Sequence, residues 1–244
     1  MLRKRSIAIV VDGSGKPSLR GNIESVQRFP LFVGISPADC AAIISVSHER
    51  RLHRRQNLFS VGDPVAQVFL LLSGSVKMTQ VGFRGGEAML RVCGVGDLVG
   101  TFGQWPDNKH NSTVQIAQVG SAVVWDSAIF AKLLDVFPQF RHNTFRVLEE
   151  RLQEIEQRFR ELSIDDVPSR LSSELIRLSR RFGSGIRENG EIHLSQTDLA
   201  QLTGTTVPTV SRLLSRWEKL GIVRVRREAV QVHDFTALAQ FSDS

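Results

Sequence analysis

Hydrophobic residues recur along this chain in different rhythms, and each rhythm predicts a different kind of element. Over residues 54–126, short runs rich in Val, Leu and Phe alternate with glycine turns: "NLFSVGDP", "VFLLLSGSVKM", "AMLRVCGVGDLVG" and "STVQIAQVGSAVVWD". Short strands punctuated by Gly and Asp predict an all-β barrel or double-sheet roll. Over residues 138–163 the rhythm becomes helical. Phe145, Leu148, Leu152, Ile155, Phe159 and Leu162 follow one another at intervals of three and four, with charged residues between them. This is a heptad seam. A helix of about 25 residues is roughly 37 Å long, and one narrow apolar stripe along it suits a pairing surface. The seam predicts a parallel homodimer, and the competing reading is packing on the chain's own roll.

The polar break "SIDDVP" ends the long helix. Asp166 stands where it can cap a further helix over 167–182, with Leu171, Leu175 and Leu178 on one face. At the other end of the chain, residues 1–20 hold Gly, Ser, Pro and Lys without a helical period, which predicts a basic tail with an added strand over 7–11. Short helices are expected over 23–28 and 37–47, the second started by Ser36 as cap and Pro37 as first residue.

The run "LSQTDLAQLTGTTVPTVSRLLSRWEKLGIV" holds two helical segments joined by a tight turn. The first covers 196–202 with Ser195 as cap. Thr203-Gly204-Thr205 is the turn, where glycine permits a sharp reversal. The second helix begins at Thr205 or Thr206, so Pro208 falls in its first turn, where a missing N–H costs little. Val210, Leu213, Leu214, Trp217 and Leu220 form the expected buried face. This is helix-turn-helix geometry, in which the second helix offers its N-terminal turn to base edges in the major groove. Ser195, Gln196, Thr205, Thr206, Val207, Pro208, Thr209, Ser211, Arg212 and Arg216 are the candidate DNA-contacting residues. Arginine there can make a bidentate bond to guanine, while hydroxyls and the helix N-terminus hold phosphates. "GIVRVRREAVQVHD" reads as a β-hairpin wing, whose Arg224, Arg226 and Arg227 would meet the DNA backbone.

Charge sharpens this picture in one respect. Residues 1–55 carry 10 Lys/Arg and 4 Asp/Glu, net +6; residues 56–163 carry 10 and 11, net −1; residues 164–244 carry 11 and 10, net +1. The excess of basic charge therefore lies in the N-terminal part, not in the helix-turn-helix, and the local arginine cluster is the better argument for nucleic acid. Cys40 and Cys93 are far apart and form no paired motif, which fits a reducing cytosol and supplies neither a zinc site nor an iron–sulfur set. No apolar run approaches the ~20 residues of a membrane span. The apolar run at 7–11 is shorter than the roughly 7–15 residues of a signal-peptide core. There is no nucleophile elbow, no phosphate-binding glycine loop and no supported acid/base pair, so the sequence reads as a non-enzyme.

Taken in order, residues 25–240 resemble the CRP/FNR family of bacterial transcription regulators. "LFSVGDPVAQVFLLLSGSVK" resembles that family's roll entry, with Gly62, Asp63 and Gly74 at its turns, and "GVGDLVGTFGQW" resembles its later Gly-Asp turn. The heptad helix resembles its dimerisation helix, and the helix-turn-helix its reading unit. The resemblance implies an α+β chain: an N-terminal jelly-roll-like β-roll of the cyclic-nucleotide-binding type, a long dimerisation helix and a C-terminal winged helix-turn-helix. On this basis residues 1–20 are a basic tail, 21–137 a β-roll sensor domain, 138–163 the dimerisation helix and 164–244 the DNA-binding domain. It also implies a cytoplasmic homodimer that binds a palindromic promoter site on double-stranded DNA and contacts RNA polymerase.

Departures from the family pattern narrow the effector. Where cyclic-nucleotide members carry the Glu that holds ribose and the Arg that holds the cyclic phosphate, this chain has Thr101 and Asn111, while Ser112 is retained. A buried phosphate without its guanidinium lacks its main charge-assisted bond. The hydroxyl that meets the base in the dimer helix is replaced by Ile155. Cyclic AMP is therefore not expected, and without the N-terminal cysteine cluster neither is an iron–sulfur switch. Val99, Gly100, Thr101, Phe102, Asn111, Ser112, Leu148, Leu152 and Ile155 are the candidate lining of a largely apolar pocket. Three readings of the effector follow: a diatomic gas such as nitric oxide sensed through a bound haem, with His110 and His142 as axial candidates that otherwise read as surface histidines; an apolar small molecule; or none. A metal-dependent cupin fused to a DNA-binding domain is the alternative of a different class, but the strand region offers only His110 and Glu87 as ligands.

Overall fold

The computed structural model describes residues 26–83, 85–100, 107–183 and 191–242. The expected tail over 1–20, its strand over 7–11, and Thr101 and Phe102 lie outside them.

The strand-rich region folds into one six-stranded antiparallel arrangement: β1 (His48–Leu52), β2 (Asn57–Phe59), β3 (Gln67–Val81), β4 (Glu87–Cys93), β5 (Leu98–Val99) and β6 (Thr113–Asp126). The order is β1-β6-β3-β4, with β2 added on β6 and β5 on β3. β3 and β6 are long, and their pairing register shifts between Leu71 and Val76. Such irregularities bend a strand, so two long strands can serve both layers of the roll. Gly74 stands at this bend with φ +78°, and a Cβ there would lie 2.7 Å from the Gln118 carbonyl oxygen. Only glycine fits both the conformation and the space. Leu52, Phe59, Phe69, Leu71, Val76, Val99, Val114 and Val124 fill the interior.

β1 was not anticipated, because "HERRL" buries only Leu52. Backbone pairing to β6 holds it, from His48 opposite Val124 to Leu52 opposite Gly120, so the side chains carry almost no alternation to read. Ahead of it, α1 (Pro37–Ser45) starts as expected, with the Asp39 N–H donating to Ser36 Oγ at 3.1 Å.

α2 (Ser127–Val136) leads into α3 (Pro138–Ile164), the long helix. An aromatic cluster of Trp125, Phe130 and Phe140 seats the start of α3 on the roll. The buried Asn143 amide donates to the carbonyls of Leu31 at 3.0 Å and Val33 at 2.8 Å. Along most of its length the seam faces away from the chain's own roll. Phe145, Leu152, Ile155, Phe159 and Leu162 are all half or more exposed, and Leu148 is half-buried.

α4 (Val167–Gly183) follows, capped by Asp166, whose Oδ1 accepts from the Ser169 N–H at 2.9 Å. The C-terminal unit adds β7 (Glu191–Ile192), α5 (Gln196–Thr203), α6 (Val207–Lys219), β8 (Val223–Arg226), β9 (Ala229–Val232) and a short α7 (Phe235–Ala239), with sheet order β7-β9-β8. Its core holds Leu171, Leu175, Leu199, Val210, Leu214 and Trp217, and it includes Met89 and Val92 of β4. The helix-turn-helix thus shares a hydrophobic core with the roll. Among the described residues no helix is long and apolar enough to cross a membrane.

Candidate nucleic-acid interface

The reading unit begins with a reciprocal cap. The Asp198 N–H donates to Ser195 Oγ at 3.1 Å, and the Ser195 N–H donates to Asp198 Oδ2 at 2.8 Å. This capping box satisfies two orphan donors and fixes where α5 starts. α5 ends at Gly204, which is left-handed at φ 61°. Thr206 then caps α6 in extended conformation, and Pro208 sits in the first turn, as expected.

Burial of Val210, Leu214 and Trp217 turns the opposite face of α6 outward. Thr206, Val207, Pro208, Arg212 and Arg216 are exposed; Thr205, Thr209 and Ser211 are half-buried. Thr206 and Thr209 hydroxyls share a hydrogen bond at 3.0 Å. Arg212, Ser215, Arg216, Lys219 and Leu220 line an open concavity of about 500 Å³. Among the described residues no ion pair ties Arg212 or Arg216. Leu220 departs from expectation: it is 60% exposed. The helix ends at Lys219, so Leu220 leaves the helical period and Ile222 takes the core position.

The wing forms as β8 and β9, with Arg224 opposite Gln231 and Arg226 opposite Ala229. Glu218 of α6 accepts from the Val225 N–H at 2.8 Å and so ties wing to reading helix. Arg224, Arg226 and Arg227 are all exposed, and Arg226 stands 3.6 Å from Glu191. Ser195 and Gln196 are half-buried at the start of α5.

The connections that orient this unit escaped sequence reasoning. Lys77 of β3 donates to Asp198 Oδ2 at 2.6 Å, and Gln201 donates to Glu87 at 3.1 Å. Arg54 donates to Glu228 at the wing tip at 2.6 Å. Arg170 of α4 donates to the Thr203 carbonyl at 3.0 Å and the Asp165 carbonyl at 2.7 Å, joining the turn of the reading unit to the end of α3. Leu162 of the seam packs against Gly204, where an added Cβ would lie 2.9 Å from Leu162 Cδ2. Arg177 makes a bidentate pair with Glu161 at 2.6 and 2.7 Å, Arg158 pairs with Glu174, and Arg181 pairs with Asp97. Burial alone would raise the Glu161 carboxyl, but bonds and charge from Arg177 outweigh it and hold the group below its usual range. Arg151 of α3 is pushed down to about 10 by burial, with Arg91 adding to the effect. These partners lie up to 174 residues apart, so no local pattern announces them.

The candidate effector residues fall in different surroundings. Val99 is buried in the roll core and Gly100 adopts φ +132° beside Gln67. Ser112 is buried and Asn111 exposed, with its carbonyl accepting from Gln80 at 3.1 Å. Leu148 is half-buried, while Leu152 and Ile155 stand on the exposed seam. His110 corrects the reading as a surface histidine: it is 4% exposed and stacked on Phe59 with ring centroids 3.6 Å apart. Burial lowers its pKa, partly opposed by Asp63. His142 is exposed. Among the described residues no three His, Cys, Asp or Glu side chains stand close enough to hold a metal ion.

Comparison with known proteins agrees with this architecture. Residues 49–136 match the cyclic nucleotide-binding domain family, and residues 169–241 match the Crp-like helix-turn-helix domain. The CRP-like cAMP-activated global transcriptional regulator of Mycobacterium tuberculosis is 27% identical over 222 residues, covering 89% of this chain and 98% of the relative. The fumarate and nitrate reduction regulatory protein of Escherichia coli is 26% identical over 199 residues, covering 81% of this chain and 79% of the relative. The c-di-GMP-responsive global regulator CLP of Xanthomonas campestris shares the fold, with a TM-score of 0.68 at 20% identity over 82% of this chain and 100% of that one. With a cyclic-nucleotide-binding-type roll and a Crp-like reading unit in this order, the chain belongs to the CRP/FNR family of transcription regulators.

Proposed function

We propose that this regulator works as a homodimer that binds a palindromic promoter site, contacts RNA polymerase and answers to an effector other than cyclic AMP. On this reading residues 21–137 sense, 138–163 pair and 164–244 read DNA. The observation that carries it is the outer face of α6. Thr206, Val207, Pro208, Arg212 and Arg216 stand exposed on a helix whose opposite face is locked in the core. Arg212 meets a guanine, and Val207 with Pro208 offers an apolar surface suited to a thymine methyl. The exposed seam supports pairing, because five apolar side chains on one stripe of α3 each stand half or more exposed.

The M. tuberculosis relative is named as activated by cyclic AMP. Here the position of the phosphate-holding arginine is Asn111, exposed and uncharged, which supports a different effector. The test uses Arg212→Ala on a duplex selected from random DNA. The substitution should cost roughly 1–3 kcal/mol on the selected site and relax one base position, leaving non-specific binding nearly unchanged. Cyclic AMP should leave the affinity of the wild-type chain where it was. Uniform weakening of all sequences by Arg212→Ala, or a strong cyclic AMP response, contradicts the proposal.

A further inference from the structure

Charge gathers where the roll, the long helix and α4 meet. Arg91 lies near the end of β4, Arg151 stands on α3 between Leu148 and Leu152, and Arg181 belongs to the last turn of α4. Asp97, in the turn between β4 and β5, is the carboxylate among them. It accepts from Arg91 at 3.1 Å, from Arg181 Nε at 3.1 Å and from the Gly94 N–H at 2.7 Å. Glu154 stands 3.4 Å from Arg181, but its side chain is about half exposed and screened by water. Among the described residues, three guanidinium groups therefore meet one buried carboxylate. The cluster holds an excess of positive charge.

The three arginines fare differently. Asp97 holds the Arg181 guanidinium above its usual range in spite of burial. Arg151 gains no such benefit. Its Nε and Nη2 atoms are buried, and burial with repulsion from Arg91 outweighs the pull of Asp97. The Cys93 thiol beside it is pushed up by burial, so it stays neutral and adds no counter-charge. Arg91 Nε is buried and makes no hydrogen bond among the described residues. Buried charges of one sign are costly unless paired. A few residues further along the same two helices the signs do balance, with Arg158 and Arg177 against Glu161 and Glu174. The excess is thus particular to the Asp97 cluster.

We propose that Arg91, Arg151 and Arg181 form a binding site for a small dianion, a phosphate monoester or a dicarboxylate. The planar guanidinium fork matches the paired oxygens of either group. A phosphate monoester carries a charge of roughly −1.5 to −2 near neutrality, which suits three cations that share one carboxylate. Because Arg181 is carried by α4, a ligand spanning it and Arg151 joins the reading unit to the long helix. The site also gives the candidate effector pocket, otherwise apolar along Leu148 and Leu152, one charged end. This inference rests on the proposed reading of an effector other than cyclic AMP, and names its chemical class.

The test is calorimetric titration of the full chain with inorganic phosphate and with succinate, at an ionic strength held constant by chloride. The wild-type chain should bind at least one of these ions saturably, at one per chain, and melt roughly 3–5 °C higher at about ten times the dissociation constant. Tighter binding of phosphate assigns a phosphate monoester, and tighter binding of succinate a dicarboxylate. Arg151→Gln and Arg91→Gln should each weaken the binding roughly tenfold or more. Without added ion, Arg151→Gln should melt no lower than the wild-type chain, because it removes a buried charge. Absence of saturable binding of both ions overturns the inference. So does a melting shift that persists unchanged in both variants, which marks a general salt effect. A lower melting temperature of Arg151→Gln with undiminished anion binding also overturns it, since the arginine then serves packing alone. Saturable binding of cyclic AMP by the wild-type chain would instead contradict the proposed function.

Discussion

The exposed seam on α3 allows a quantitative prediction. Leu152 lies in the middle of the seam and is 55% exposed. Full burial of a leucine is worth about 1.5–3 kcal/mol, so covering what remains exposed contributes about 1 kcal/mol per protomer. In a parallel pair, equivalent seam positions face each other. Leu152→Lys therefore removes about 2 kcal/mol of apolar contact and sets two ammonium groups opposite each other. At a separation of roughly 6 Å and an effective dielectric constant of about 20, their repulsion is about 3 kcal/mol. Some of that is relieved as the side chains splay into solvent. A net loss of about 4 kcal/mol weakens dimerisation roughly a thousandfold. Sedimentation equilibrium across a concentration series reads this directly, with circular dichroism to show that the helix persists. Leu152→Ala, which adds no charge, should cost only about 2 kcal/mol. A Leu152→Lys chain that remains a dimer with an unchanged dissociation constant would refute the assignment of this stripe to pairing.

Two other perturbations probe the junction between pairing helix and reading unit. Because Glu161 ionises below its usual range in the fold, its stabilising contribution is complete above the ordinary carboxylate pKa and is lost as pH falls through that range. Glu161→Gln should remove this part of the acid dependence and lower stability near neutrality by about 2–3 kcal/mol, less than for a fully buried pair because Arg177 is partly exposed. Urea denaturation from pH 7 to pH 3.5 checks both, and an unaltered acid slope contradicts the account. Gly204→Ala forces a methyl-bearing residue into φ +61° and against Leu162. It should cost about 1–2 kcal/mol in the same assay, and a neutral result would mean that the turn is free to relax.

Elements whose side chains alternate between buried and exposed were legible in the sequence. The long helix was expected over 138–163 and ends at Ile164; Asp166 and Ser195 cap the helices they were expected to cap. Pro208 in the first turn of α6 and Gly204 in the turn before it followed from backbone chemistry alone. β1 did not, because an edge strand held by backbone pairing with four polar side chains shows no period. His110 was misjudged for a related reason. Its burial depends on Phe59, some fifty positions earlier, and a single histidine in a polar loop carries no mark of its partner.

The orientation of the reading unit was the least legible part. It depends on Lys77 with Asp198, Arg54 with Glu228, and Met89 and Val92 within the same core as Leu199. Charged residues at a protein surface are compatible with many partners, and only the fold selects one. The exposed arginines of α6 stood out because they are local to one helix. The clasp that presents them draws on the roll, the long helix and α4 together.

Selection of binding sites from a pool of random duplexes tests the central claim most directly. The account predicts convergence on two inverted half-sites with centres about 10 base pairs apart, each with a guanine that Arg212→Ala no longer requires. A pool that shows no enrichment, or that settles on a single site without two-fold symmetry, contradicts it.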